Sequence, residues 1–353
     1  MNAETRDAGP RKMPTLIEES VLLEPDRVRI LDRRVFPFEK KFVDCRTVEE
    51  VARAIEEMVT QSGGPFFAAG AALVLAAREA ERDPSTERRA EAIGRAGRRL
   101  VATRPTNDQI AHMVEKVAGA ARQSAARPGF GAAVEAEVRA LWEERRARSR
   151  ALGANCATVL ADGDSVLTHC WGEAAIVESL AAAQRQGKRL KVVCTETRPY
   201  LQGARLTAHS VAELGIDVTV ITDNMAAHAM AQGMVTKFVT ASDRVAMSGH
   251  VVNKVGTYLI AIAAHRHAIP FYALAQAPDR SAATGAEIPI EMRDPEESLT
   301  CMGMRTASPL VRHGWYPAFD VTPPDLVTGI VTSRGVFAPD RLHEHFERAE
   351  SSS

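Results

Sequence analysis

The chain has 353 residues, 25% of them charged and 45% hydrophobic, with a formal net charge of -1; this is ordinary globular composition, long enough for two domains with their own cores. The near-neutral balance offers no basic footprint for nucleic acid, and no apolar run reaches the ~18 residues of a membrane span. Cys45, Cys156, Cys170, Cys194 and Cys301 are scattered without a CxxC pair, which argues against a disulfide framework or a zinc site and predicts a cytoplasmic protein with reduced thiols.

In chain order, residues 1–24 read as a loosely held leader, with no signal peptide in MNAETRDAGPRKMP. RVRILDRRV (27–35) and KKFVDC (40–45) predict a small antiparallel β element. Thr47 and Glu50 form a capping box for a helix that puts Val51, Ile55, Met58 and Val59 on one face. Ser62-Gly63-Gly64-Pro65 is a turn into the small-residue run FFAAGAALVLAA. It is either a tight entry to a buried helix or an anion site made by unpartnered amides. Asn107 is a good N-cap for a helix carrying Ile110, Met113, Val114 and Val117, and a third helix spans about 131–160. Residues 1–147 thus read as a mostly helical domain with a small antiparallel β element.

From residue 148 to 353 the pattern predicts a second domain, a Rossmann-like α/β fold with a doubly wound parallel sheet. SVLTHC (165–170), LKVVCTET, VTVIT, KFVTAS and PFYALA are short strands alternating with helical patterns, one of them placed at 253–267, and LVTGIVTS is a candidate further strand. No GxGxxG follows the first strand, so no dinucleotide cofactor is expected. In a parallel sheet the residues just past the strands converge on one crevice. These are Cys170, then Glu196-Thr197-Arg198-Pro199 with Gln202, then Asp223, then Asp243. Each has an alternative reading: a buried small hydrophobe for Cys170, a helix cap for Asp223, an ion pair with Arg244 for Asp243. A helix starting directly after Cys170 would favour its thiolate. Asn253-Lys254 at a helix start would offer a cation, an amide and free backbone N–H groups to an anion. His209 and His228 fit structural roles. The set suits proton shuttling on a small phosphorylated substrate, with no metal and no cofactor.

CTETRPYLQGARLTAHSVAELGIDVTVITDNMAAH, SDRVAMSGHVVNKVGTY, GAEIPIEMRDPEE and PAFDVTPPDLVTGIVT closely resemble the methylthioribose-1-phosphate isomerase family. Its superfamily includes ribose-1,5-bisphosphate isomerases and the alpha, beta and delta subunits of the translation-initiation exchange factor. The resemblance covers most of the chain and is dense from about 160 to 335. It implies conversion of a closed-ring aldose 1-phosphate, 5-methylthioribose 1-phosphate, to the ketose 1-phosphate in methionine salvage. By motif, Cys170 and Asp243 fall on the catalytic cysteine and aspartate. Arg104, Gln202, Asn253 and Lys254 fall on substrate-binding positions, as do Gly63 and Gly64. An anomeric phosphate blocks ring opening through a free hydroxyl, so the ring oxygen needs a proton donor. A carboxyl group kept protonated in an apolar pocket, Asp243, could supply it. Three features depart from the family: Ser62-Gly63-Gly64 replaces an arginine-led turn, Trp171-Gly172 follows the cysteine, and Ala241-Ser242 precedes the aspartate. They leave open a sister isomerase acting on 5-deoxyribose 1-phosphate or ribose 1,5-bisphosphate. A non-catalytic sensing or regulatory subunit is the third reading. The family implies a homodimer built through the sheet domain.

Overall fold

The computed structural model describes residues 12–104 and 108–350; Asn107 and its expected cap lie outside the described residues. The chain divides into two compact units, Glu19–Ser149 and Arg150–Ser353, the latter joined by the segment that ends at Glu18. That last point differs from a loose leader. Helix α1 (Thr15–Glu18) is held by the Glu213 carboxylate, which accepts from Thr15 N at 2.9 Å and Thr15 Oγ1 at 2.7 Å.

In the first unit, β1 (Val21–Leu23), β2 (Val28–Leu31) and β3 (Phe42–Cys45) form an antiparallel sheet in that order. Helix α2 (Val48–Glu56) starts at the expected capping box: Glu50 N donates to Thr47 Oγ1 and Thr47 N to Glu50 Oε2. Helices α3 (Gly64–Ala80), α4 (Thr86–Ala102), α5 (Asp108–Ser124) and α6 (Phe130–Thr158) follow. The small-residue run is buried in α3 because Gly70 lets Val138 and Trp142 of α6 come close; a Cβ there would meet Trp142 Nε1 at 2.7 Å. Helix α6 carries the chain into the second unit.

There β4 (Ser165–Thr168), α7 (Glu173–Arg185), β5 (Lys191–Thr195), α8 (Ala208–Glu213), β6 (Asp217–Ile221), α9 (Ala226–Ala231) and β7 (Lys237–Ala241) alternate as expected. The next strands depart from the sequence pattern. β8 (Arg244–Val245) and β9 (Val251–Lys254) precede α10 (Thr257–Arg266) and β10 (Phe271–Leu274). A short helix α11 (Glu296–Leu299) and the hairpin β11 (Thr300–Cys301) with β12 (Met304–Arg305) lead to β13 (Phe319–Thr322). β14 (Gly329–Thr332), β15 (Gly335–Phe337) and α12 (Glu344–Glu350) finish the chain. The main sheet has the order β15-β14-β10-β7-β4-β5-β6, all parallel except β15. Its centre is an apolar core where Phe238 and Phe271 stack at 4.3 Å between adjacent strands. A second sheet, β13-β9-β8, is antiparallel.

From β4 the chain builds outward through β5 and β6. It then crosses back to β7 on the other side of β4 and continues through β10 and β14. The strand order therefore reverses between β4 and β7, and the crevice beyond their carboxyl ends is where an open α/β sheet binds its ligand. Among the described residues no helix is long and apolar enough to cross a membrane.

Candidate active site

Cys170 lies two residues past β4 and Asp243 two residues past β7, so the strand reversal brings the thiol and the carboxyl to the two sides of one crevice. Cys170 is half-buried in a left-handed conformation, φ 71°, a sparsely populated region for a residue with a side chain. Its N–H donates to Thr197 Oγ1 at 2.9 Å, its carbonyl accepts from Thr207 Oγ1 at 2.6 Å, and Gln202 Nε2 donates to its sulfur at 3.3 Å. Among the described residues the buried Gln202 carbonyl oxygen has no hydrogen-bond partner, an acceptor left for a ligand hydroxyl.

Burial pushes the Cys170 thiol up, and the nearby Lys254 charge, the Gln202 amide and the Trp171 N–H offset only part of this. The expectation that a helix start would favour the thiolate is corrected: α7 begins only at Glu173, capped by Gly172, and desolvation wins. The resting group is the neutral thiol.

Asp243 meets the opposite expectation. Arg244, its neighbour, pairs with Asp279 instead, and among the described residues the Asp243 side chain has no hydrogen-bond or ion-pair partner. Its carboxyl touches solvent in the crevice, yet the protein around it raises its pKa by desolvation, against the pull of Arg244 and Lys254. A carboxyl group biased toward its protonated form is a proton donor in waiting.

Asn253 and Lys254 do not open a helix. They end β9, paired with Asp320 and Phe319 of β13, and α10 starts only after Gly256. The amides that would have greeted an anion there are already used: the Asp320 carboxylate accepts from Gly256 N at 2.7 Å and Tyr258 N at 3.2 Å. Asn253 gives both amide protons to Thr240 Oγ1 and Thr257 Oγ1, which leaves its carbonyl oxygen as an acceptor. Lys254 remains the anion-binding group. It is buried, its ammonium donates to Tyr316 Oη at 3.3 Å, and it sits 5.2 Å and 5.1 Å from the Tyr316 and Phe319 ring centroids. Its close partners are thus neutral, held by hydrogen bond and cation–π attraction. Burial lowers its pKa, with Arg293 adding to this, and the Glu291 and Glu297 carboxylates offset only part of it.

Of the other sequence candidates, Asp223 holds the loop after β5: its carboxylate accepts from Thr197 N and Arg198 N, each at 2.7 Å. Arg198 donates to the Thr300 carbonyl at 2.7 Å. Both are scaffold. His209 lies 3.5 Å from Glu213 on α8. Gly63, Gly64 and Arg104 belong to the helical unit. There Gly64 N donates to the Gln61 carbonyl at 3.1 Å, so that amide is not open to an anion. Arg33 also donates to Gln61 O, at 2.6 Å. The Arg104 guanidinium reaches Met58 Sδ, two residues from Thr60, whose hydroxyl occupies the space a Gly64 Cβ would need. Sequence reasoning passed over His169, Tyr316 and Asp320. The adjacency of His169 to Cys170 was its only local signal, and the other two sit in the quoted PAFDV region or one residue ahead of it. Among the described residues no group of three or more His, Cys, Asp or Glu could hold a metal ion.

A model of the initiation factor 2 subunit family matches residues 62–339. Methylthioribose-1-phosphate isomerase of Fervidobacterium nodosum is 41% identical over 326 residues, 89% of this chain and 93% of that protein. The isomerase of the same name from Thermotoga maritima is 39% identical over 323 residues, 88% of this chain and 92% of that one. Among solved structures, 5-methylthioribose 1-phosphate isomerase from Pyrococcus horikoshii OT3 superimposes with a TM-score of 0.86 at 33% identity, covering 97% and 99% of the two chains. The translation initiation factor eIF-2B subunit delta from A. fulgidus gives 0.82 at 32% identity, covering 93% and 96%.

The buried cap of α10 should be visible in the pH dependence of stability. Burial pushes the Asp320 carboxyl up to about 6, against its two N–H donors and Lys254. A carboxyl whose pKa is raised by folding stabilises fully below its unfolded value, near 4, and loses that contribution as pH rises through about 6. Between those pH values the wild type should lose about 3 kcal/mol relative to Asp320→Asn, at 1.36 kcal/mol per unit. Urea unfolding of both proteins across this window measures it, and parallel pH curves would contradict the assignment.

Proposed function

The chain belongs to the initiation factor 2 subunit family, and to the methylthioribose-1-phosphate isomerases within it; we propose that it converts 5-methylthioribose 1-phosphate into 5-methylthioribulose 1-phosphate, a step of methionine salvage, in the cytoplasm. The observation that carries this reading is the placement of a neutral thiol, a desolvated carboxyl group and an ammonium without a close anion around one sheet reversal. The phosphate binds Lys254. Protonated Asp243 gives its proton to the ring oxygen, the bond from that oxygen to C1 breaks, and C1 becomes electron-poor. Hydrogen then moves from C2 to C1 while the C2 hydroxyl passes its proton to the Asp243 carboxylate, which restores the acid, and becomes the ketone. Gln202 and Asn253 supply acceptors for sugar hydroxyls. Gly63, Gly64 and Arg104 are proposed as further substrate-binding residues.

Two routes share these residues. In one, Cys170 as thiolate takes the C2 proton and returns it to C1. In the other, hydrogen passes directly as hydride while the thiol donates a hydrogen bond to the C2 oxygen. The raised thiol favours the hydride route. A sister isomerase on another pentose 1-phosphate is a second reading, favoured by the Gly64 amide already bonded to Gln61. It keeps the same chemistry.

The partner proposed besides the sugar phosphate is a second copy of the chain. On α10, Leu259 is 60% exposed and Ile262 46%, with Tyr258 beside them, and apolar helix faces of this kind are usually covered.

Three measurements test these statements. Cys170→Ser and Asp243→Asn should each lower kcat ~100-fold or more, as lost acid–base groups do; near-normal turnover in either would remove it from the mechanism. Turnover in D2O should leave C1 without solvent deuterium on the hydride route, whereas stoichiometric deuterium at C1 would install Cys170 as a base. Light scattering should give a dimer for wild type and a folded monomer for Leu259→Asp/Ile262→Asp; an unchanged mass would place the interface elsewhere.

A further inference from the structure

His169 is buried just past the end of β4, directly before Cys170, and both ring nitrogens are engaged. Nε2 lies 3.0 Å from the Val255 carbonyl, which can only accept, so Nε2 carries the proton. Burial keeps the imidazole neutral, which leaves Nδ1 as an acceptor for the Thr195 hydroxyl at 2.6 Å. Thr195 Oγ1, its proton spent, accepts from Thr197 Oγ1 at 3.3 Å. Thr197 Oγ1 in turn accepts the Cys170 N–H at 2.9 Å. The result is a single-direction chain from the Cys170 amide through two threonines and the imidazole to Val255, the residue after Lys254. The Thr195 hydroxyl and the imidazole each donate once and accept once, so neither can turn around without leaving a buried group unsatisfied; the Thr197 hydroxyl, 3.5 Å from both the Thr195 carbonyl and His169 Nδ1, closes the same cluster.

Backbone contacts fix the same residue from other sides. The His169 carbonyl accepts from Thr240 Oγ1 at 2.9 Å, and Thr240 Oγ1 accepts from Asn253 Nδ2 at 3.1 Å. Gly256, at φ 108°, lies so close to the ring that a Cβ would meet Nε2 at 3.0 Å. The left-handed backbone of Cys170 and of Thr197, φ 61°, is the strain this network has to hold.

We propose that His169 is a positioning residue that locks the Cys170 thiol in the crevice and sets its place relative to Lys254, acting through Thr195 and Thr197 on one ring nitrogen and Val255 on the other. The reaction this serves rests on the proposed isomerase function; the positioning itself does not. Around the thiol stand Lys254, Gln202, Asp243 and Tyr316. Burial is the largest influence on it, so a thiol released from its lock drifts toward ordinary behaviour and forms thiolate more readily.

The test is iodoacetamide alkylation of the folded protein across pH, read by mass spectrometry at each cysteine. In His169→Gln and Thr197→Val the Cys170 profile should move about one unit to the acid side, about a tenfold faster reaction at neutral pH. Buried Cys156 and Cys194 should stay protected, which separates local release from unfolding. Thr197→Ser, which keeps the hydroxyl, should restore the wild-type profile. With the sugar phosphate as substrate, kcat should fall in the first two variants with KM little changed. An unchanged Cys170 profile in a folded variant, or Thr197→Ser behaving like Thr197→Val, overturns the proposal. Should wild type lack isomerase activity altogether, the functional reading fails while the alkylation result still decides this one.

Discussion

Where β4 and β7 lie side by side, the chain leaves them in opposite directions, and a crevice opens beyond their carboxyl ends. Everything proposed for this site follows from that topological constraint. It puts Cys170 and Asp243 on facing lips of one crevice although 72 residues separate them in sequence. It also gives the small β13-β9-β8 sheet a place to stand, with Asp243 bonded through its N–H to Val252 of β9. Lys254 arrives at the crevice from a strand rather than from a helix start, and a strand end fixes a side chain more tightly than a fraying first turn.

Desolvation by the surrounding protein sets the chemistry of these groups. The same desolvation raises the thiol, raises the carboxyl and lowers the ammonium, so each is moved toward its neutral form. A site poised in this way biases its thiol and carboxyl toward the protonated forms that ring opening draws on. Lys254 keeps aromatic and phenolic company instead of a carboxylate partner, so a phosphate need not displace a competing ion pair. Tyr316, itself pushed up to about 12 by burial, stays protonated beside it and has a hydrogen to give elsewhere.

The sheet was legible because parallel strands buried on both faces spell apolar runs such as KVVC and KFVTA, each ending in polar residues. For the same reason the places of Cys170 and Asp243, just past their strands, could be read from the sequence. The misreading at Asn253-Lys254 has a physical cause. VVNK is only four residues long and runs straight into the helical pattern of TYLIAIAAH, and its sheet partner Phe319–Thr322 comes more than sixty residues later. Nothing local marks such a pairing. Asp320 as the cap of α10 is equally remote, and so is the link between His169 and Val255. Local signals, by contrast, were reliable: the Thr47–Glu50 box forms as the spacing requires. The thiol was misjudged because spacing cannot report desolvation.

The central claim is that this crevice turns an aldose 1-phosphate into a ketose 1-phosphate. The most direct measurement is carbon-13 NMR of the purified protein with a panel of C2-labelled pentose 1-phosphates, 5-methylthioribose 1-phosphate among them. The account predicts that the C2 signal of 5-methylthioribose 1-phosphate moves into the ketone region with catalytic protein. Saturable binding of the panel with no ketone signal from any member would contradict it.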